Sequence, residues 1–166
     1  MPDGTFQPGR KVTRAEFVKM LASLSDKDIS ARRDRNNFSD VPGSAWYAQI
    51  VRWGVKEKFV NGRGNGQFDP NGPITRQEAA VILWRFNKNA MGRVFPRYQK
   101  TNFKDQNRIS RWASVEVRAV EGAGLMQGYE DRTFRPGGYA TRAEMAQLLY
   151  KYHTSVGSYE RAYALD

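Results

Sequence analysis

The tetrapeptide Thr-Arg-x-Glu occurs three times, at 13–16, 75–78 and 141–144, and a Phe-x-Pro (Phe6-Gln-Pro8, Phe68-Asp-Pro70, Phe134-Arg-Pro136) stands at the same step before each copy, its Phe seven residues ahead of the Thr. An internal register held this closely confines the chain to architectures built by repeating one supersecondary unit. The local chemistry of each copy is a helix start. Thr13, Thr75 and Thr141 are placed to cap the amide three residues on, and Glu16, Glu78 and Glu144 to reach back to the cap's own N–H. The residues behind each box have helical period: Phe17, Met20, Leu21, Leu24; Ala79, Ile82, Leu83, Phe86; and Met145, Leu148, Leu149, Tyr152 all fall at i, i+3, i+4, i+7. Capping needs only the Thr and the Glu. The Arg between them, Arg14, Arg76 or Arg142, is a cation at the positive end of a helix dipole and calls for another explanation.

The repeat extends upstream of Phe-x-Pro. Trp46 to Gly62 and Trp112 to Gly128 are both 16 residues, and Gly62 to Phe68 and Gly128 to Phe134 are both 6. Phe38-Ser-Asp40 and Phe103-Lys-Asp105 precede the tryptophans at similar distances. A full unit therefore reads F-x-D, a Trp-led helix, a Gly-rich turn, F-x-P, then T-R-x-E and a second helix. Two units are complete, at 38–86 and 103–152, while 1–30 holds only a second half. Residues 31–37 and 87–102 are basic connectors without periodic patterning, read as loops, and 153–166 is read as a tail. The expected fold is mainly α, tandem helical hairpins with Gly/Pro-rich loops and short extended pieces at F-x-P, sharing one core because a single hairpin cannot bury its apolar face.

Composition narrows the function. With 166 residues, 40% of them hydrophobic, the chain can bury a sizeable core. No apolar run approaches the ~18 residues of a membrane span, and the first residues as given carry no signal-peptide stretch. The absence of cysteine excludes disulfides and thiolate metal sites. A net charge of +10 predicts attraction to polyanions. The single histidine, His153, read as a helix-end residue, gives a metal site or a Ser/His/Asp triad nothing to build on. The run "NGRGNG" at 61–66 lacks both a Walker lysine and alternating acidic ligands, and is read as a turn. Catalytic residues, a metal and a cofactor are therefore not expected.

With "FSDV", "GYEDRTFRP", "PDGTFQP" and "VTRAE" in fixed order, the chain resembles the S-layer homology domain family over about 130 of its 166 residues. That resemblance implies a non-catalytic anchor on the bacterial cell surface. Such modules fold as a pseudo-threefold helical bundle and bind anionic secondary cell-wall polysaccharide, often pyruvylated, in grooves between repeats. On this resemblance Arg14, Arg76 and Arg142 fall on the glycan-contacting arginine, and Asp40 and Asp105 on the groove aspartate. An Arg at a helix N-terminus, where amides are unpaired, would offer a planar fork to a carboxylate. The competing reading makes each Arg a solvated first-turn residue paired with an acid. Trp46 and Trp112 are candidates for a sugar platform, although a Trp leading an amphipathic helix is read first as core.

Some positions depart from the pattern. Unit two has Gln77 for Ala and "GRGNGQF" for the usual turn, and unit three has "FKDQ" and Ala140, so unequal grooves are expected. The incomplete first unit should leave the stripe Phe17, Met20, Leu21, Leu24 in need of a cover, from residues 155–166 folding back or from a protein partner or second copy. Two classes compete, a glycan-binding anchor and a structural subunit using the same fold for protein contacts in a surface array. Nucleic-acid binding ranks behind both, since the charge lies in loops and no nucleic-acid module is present.

Overall fold

A computed structural model describes all residues except 1–3, 26, 28, 30–37, 96–101 and 164–166, with the backbone alone for 156–163. Among the described residues there are five α-helices and no strand: α1 (Arg14–Ala22), α2 (Ala48–Lys56), α3 (Arg76–Arg85), α4 (Ser114–Gly122) and α5 (Arg142–Tyr163). Short 3-10 turns, Gln106–Arg108 and Arg111–Ala113, lead into α4. Most of the two basic connectors lies outside the described residues. The second connector nevertheless starts as helix, because α3 runs into a π turn, Phe86–Ala90, where buried Asn87 donates to the Arg93 carbonyl and accepts from the Tyr152 hydroxyl. Likewise α5 continues through the segment read as a tail, which places His153 in mid-helix.

All three capping boxes form. The Glu16, Glu78 and Glu144 amides donate to Thr13, Thr75 and Thr141 Oγ1 at 3.2, 3.4 and 3.3 Å, and the Thr amides donate back to the Glu carboxylates at 2.9, 2.9 and 2.8 Å. These helix starts are locked together by a ring of backbone bonds. The residue before each cap donates to its counterpart in another repeat: Val12 to the Ala140 carbonyl (2.9 Å), Ala140 to Ile74 (3.0 Å), and Ile74 back to Val12 (2.9 Å). Outside this triangle the next two amides of each helix are also taken. Arg14 and Ala15 donate to the Gly72 and Pro70 carbonyls, Arg76 and Gln77 to Gly138 and Pro136, and Arg142 and Ala143 to Arg10 and Pro8. The chain thus closes on itself with pseudo-threefold symmetry, and the helix N-termini expected to be open are occupied by neighbouring repeats.

Around the ring, α1 packs against both α3 and α5, while α2 packs on α1 and α4 on α3. Each Trp-led helix therefore covers the second helix of the preceding repeat. This overturns the expectation for the first stripe: Phe17 and Leu21 are 0% exposed, with Met20 and Leu24 packed against the same core. The cover comes from inside the chain, where α1 packs against α2, α3 and α5 around the shared core. The core is one contiguous cluster, with Trp53, Phe59, Phe86 and Tyr152 in edge-on or tilted contact at centroid distances of 5.0 to 6.2 Å.

Within a repeat, F-x-D clasps F-x-P. Both oxygens of Asp40 accept backbone N–H groups, from Phe68 (2.9 Å) and Asp69 (2.7 Å), and Asp105 does the same for Phe134 and Arg135 at 2.8 Å each. The two phenylalanines stack, Phe38 on Phe68 at 5.7 Å and Phe103 on Phe134 at 5.2 Å. Gly62 and Gly128 explain the constant spacing, since a Cβ there would come within 2.6 Å of the Phe38 or Phe103 ring. The middle residue of every F-x-P, Gln7, Asp69 and Arg135, takes φ of +49°, +59° and +54°. This left-handed conformation is uncommon outside glycine.

Candidate functional site

The turn at F-x-P and the clasp beneath it build the receptor for the repeated Arg. Arg14 reaches into the second repeat, where its Nε donates to the Phe68 carbonyl (2.8 Å), one terminal nitrogen to the Asn61 carbonyl (3.0 Å) and the other to Glu78 Oε1 (3.2 Å). Arg76 makes the corresponding bonds into the third repeat, to Phe134 O (2.8 Å), Gln127 O (2.8 Å) and Glu144 Oε1 (3.1 Å). Each guanidinium lies over the Phe ring of the F-x-P it reads, at 4.9 Å in both cases. Arg14 and Arg76 are 4% and 5% exposed. They are thus neither solvated surface cations nor free forks. Burial lowers the Arg14 pKa, and the Glu78 carboxylate opposes that shift. Glu78 and Glu144 each serve twice, one oxygen capping its own helix and the other receiving the preceding repeat's Arg, whereas the second oxygen of Glu16 receives Arg10 of its own repeat.

Among the described residues three N–H groups of each guanidinium are committed, leaving two. Arg14 lines a groove of about 420 Å³ with Arg63, Glu78, Ile82, Arg85 and Trp112. Arg63 pairs with Asp69 and Glu78, both at 2.9 Å. This groove draws on all three repeats: Arg14 from the first, Arg63 to Arg85 from the second, Trp112 from the third. The equivalent groove at Arg76 is about 210 Å³, bounded by Gln127, Tyr129, Glu144, Leu148 and Lys151, and no indole closes it. In it the Tyr129 hydroxyl donates to Glu144. Burial and that bond raise the Tyr129 pKa; Glu144, although burial opposes it, is held below the ordinary value by the Tyr129 and Thr141 bonds.

The sequence candidates therefore separate. Arg14 and Trp112 meet in one groove, and Arg76 lines the second. Arg142 lies over Phe6 at 5.1 Å, its Nε buried and without a hydrogen-bond partner among the described residues. Trp46 and Trp112, read first as core, are 54% and 53% exposed, because each stands just ahead of its helix on the rim of the bundle. Trp46 takes the Lys19 ammonium over its ring at 5.2 Å. Asp40 and Asp105 lie outside both grooves; Asp105 borders a separate concavity with Gln77, Arg108 and Arg135. Sequence reasoning missed Arg63, Arg85, Tyr129 and Lys151. A signal was present: Arg63 and Tyr129 each come directly after the repeat glycine, and Arg85 and Lys151 each lie nine residues past the box Arg.

Fold and grooves together define a closed three-repeat module whose concave sites lie between repeats and carry arginine and aromatic side chains. The sequence profile of the S-layer homology domain matches residues 1–18, 37–80 and 102–146, and the chain belongs to that family. It is 33% identical over 150 residues to exoglucanase XynX of Acetivibrio thermocellus, covering 90% of this chain and 14% of that protein. To the cellulosome-anchoring protein of the same organism it is 30% identical over 151 residues, covering 89% of this chain and 33% of the relative. To the S-layer protein of Bacillus thuringiensis subsp. finitimus it is 29% identical, covering 98% of this chain and 20% of the relative. The chain thus spans a third or less of the length of these relatives. Among the described residues no helix is long and apolar enough to cross a membrane, and no group of three or more His, Cys, Asp or Glu could hold a metal ion.

Proposed function

We propose that the chain is a non-catalytic anchoring module of the bacterial cell surface that binds an anionic secondary cell-wall polysaccharide. The observation that carries this reading is the Arg14 groove. Arg63, Arg85 and the buried Arg14 supply positive charge in a concave site, and the exposed indole of Trp112 supplies an apolar platform for a sugar ring. A pyruvyl ketal fits the same chemistry, its carboxylate toward the guanidinium groups. In this reading Arg14 and Arg76 form the floor of their grooves with their two uncommitted N–H groups. Asp40 and Asp105 act one step removed, by holding F-x-P so that its carbonyl meets the Arg. Trp46 beside Lys19 is the same platform at the third position. That one segment recurs as a small fraction of an exoglucanase and of an S-layer protein supports a shared surface role distinct from catalysis.

Purified wall polysaccharide tests the proposal. Arg85→Ala and Trp112→Ala should each weaken retention about tenfold, in line with losing a contact of about 1.4 kcal/mol, with the melting temperature unchanged. DNA should bind weakly and lose most of that binding as salt rises. Full retention by the Arg85→Ala/Trp112→Ala double variant would overturn the reading, as would tight DNA binding at physiological salt without binding to wall polymer. A structural role through protein contacts is favoured by a different surface, the outer face of α5.

A further inference from the structure

The third repeat carries a concavity that neither arginine groove uses. It measures about 540 Å³ and lies between the F-x-D segment, the F-x-P turn and the start of α3, a size that suits a small-molecule site. Its walls come from two repeats, Gln77 from the second and Asp105, Arg108, Asp131 and Arg135 from the third. Three of these residues break the internal repeat. Gln77 stands where the other two boxes have Ala15 and Ala143, Arg135 stands where the second repeat has Asp69, and Arg108, counted from F-x-D, falls on Gly43. Positions at which the repeats differ in charge and hydrogen-bonding capacity thus converge on one place.

What remains uncommitted at this place is a set of donors. Both oxygens of Asp105 hold backbone amides, and Asp131 accepts the Thr133 amide at 2.9 Å, the Thr133 hydroxyl at 2.6 Å and an Arg135 terminal nitrogen at 3.0 Å. These bonds, that of the Thr133 hydroxyl first, bring the Asp131 carboxyl down to about 2 from 3.8, so it stays an anion committed to its own turn. Arg108, by contrast, is exposed, and its side chain has no ion pair or hydrogen bond among the described residues. Gln77 spends its Oε1 on the Ser110 amide at 3.1 Å, which leaves its NH2 group without a partner among the described residues. Arg135 likewise keeps one terminal nitrogen uncommitted beside the bonds to Thr133 and Asp131. Gly137 leaves the floor open, with nothing within 4 Å of where a Cβ would stand. Exposed Lys104 and Arg132, joined through their backbones at 2.9 Å, adjoin Asp105 and Asp131 in the chain and add positive potential.

We propose that this concavity is a second ligand site, separate from the arginine grooves, which takes an oxyanion carried on a hydroxylated unit: the carboxylate of a uronic acid or the phosphate of a polyol phosphate. Arg108 and the uncommitted nitrogen of Arg135 receive the oxyanion, and the Gln77 NH2 group donates to a neighbouring hydroxyl. Where a groove holds one unit of an acidic polymer and the concavity another, two weak contacts on one strand bind far better than either alone. That gain rests on the polysaccharide reading above, whereas the oxyanion site itself does not.

Proton–nitrogen correlation NMR of the full chain, titrated at constant ionic strength with glucuronate, glycerol phosphate and neutral glucose, tests the site. Glucuronate or glycerol phosphate should shift the Gly137 and Gly138 amides and the Gln77 side-chain amide saturably, with a Kd on the order of 1 mM, and glucose should not. A response to glucuronate alone assigns a carboxylate ligand and a response to glycerol phosphate alone a phosphate, and either supports the site. Arg108→Gln, at an exposed position, should weaken binding about tenfold, the loss of one charge-assisted hydrogen bond, with the melting temperature unchanged. Gln77→Ala, which installs the residue of the other two boxes, should weaken it independently. The Trp112 indole reports on the Arg14 groove, so a silent indole beside shifting Gly137 and Gly138 amides counts against groove binding and not against this site. No saturable shift with either anion, equal shifts with glucose, or shifts undiminished by Arg108→Gln overturns the proposal. Displacement of both anions by short single-stranded DNA at physiological salt also overturns it, making the concavity a nucleic-acid contact.

Discussion

Arg14, Arg76 and Arg142 hold the same position in three copies of one motif, yet their surroundings differ enough to separate what the residue does from what the motif says. Removing Arg76 leaves the Phe134 and Gln127 carbonyls without their donor and takes one of several partners from Glu144, so Arg76→Ala should cost about 2–4 kcal/mol in chemical denaturation. Arg142→Ala, whose Nε has no partner among the described residues, should cost less than about 1 kcal/mol. Equal costs would mean that the carbonyl contacts contribute nothing. Backbone conformation offers a second test at this scale. Gln7, at φ +49°, should tolerate Gly with a gain of up to about 1 kcal/mol, whereas Val should cost about 1–2 kcal/mol, since a β-branched residue fits the left-handed region poorly.

The clasp joining F-x-D to F-x-P behaves as one element, and its tightest point is the glycine beneath the Phe ring. Gly128→Ala would force a Cβ to 2.6 Å from the Phe103 ring and 2.9 Å from the Thr133 carbonyl, an overpacking worth about 1–3 kcal/mol. Gly137→Ala, with nothing within 4 Å of the added atom, should change the melting temperature little, and the pair of variants measures the clasp. Much of this was legible in advance. The capping boxes, the helices behind them and the paired spacings are periodic, and periodicity survives in a string of letters. What the string concealed was direction between repeats. Whether Arg14 points to water or into the second repeat depends on where Phe68 O is aimed, and that depends on a positive φ at Asp69, an Asp like any other in sequence. Trp46 and Trp112 were misplaced because they precede their helices and so fall off the buried stripe. The uncovered face was assigned to α1 because the cover was sought within the repeat, whereas each Trp-led helix covers its predecessor.

For the molecule as a whole, the titrating groups are spread over the ring and its periphery, and they bound the pH range of the fold. Glu16 and Glu144 lie below their ordinary 4.5 because, against the cost of burial, they accept bonds from Arg10 and Thr13, and from Tyr129 and Thr141. A depressed folded pKa contributes stability that is present above the unfolded value and is lost as pH falls through the folded one. The melting temperature should therefore drop below about pH 4.5, and Glu16→Gln should flatten that limb. Burial pushes Tyr152 up to about 12 from 10.0, so its contribution is complete below pH 10 and disappears as pH rises toward 12. Tyr152→Phe should reduce the alkaline loss, leaving the share that the raised Tyr129 contributes.

The triangle of backbone bonds among Val12, Ile74 and Ala140 has a consequence for how the chain reaches its native state. A linear solenoid can add repeats one at a time, each resting on the last. A closed triangle is different: two of its three bonds involve Ala140 and cannot exist before the third repeat is present. The first repeat must therefore wait for the last, and the loop from Val12 to Ala140, more than a hundred residues long, closes late. Folding should be slow and all-or-none, and a chain emerging from a ribosome or a secretion channel remains without its native centre until residue 140 has emerged as well.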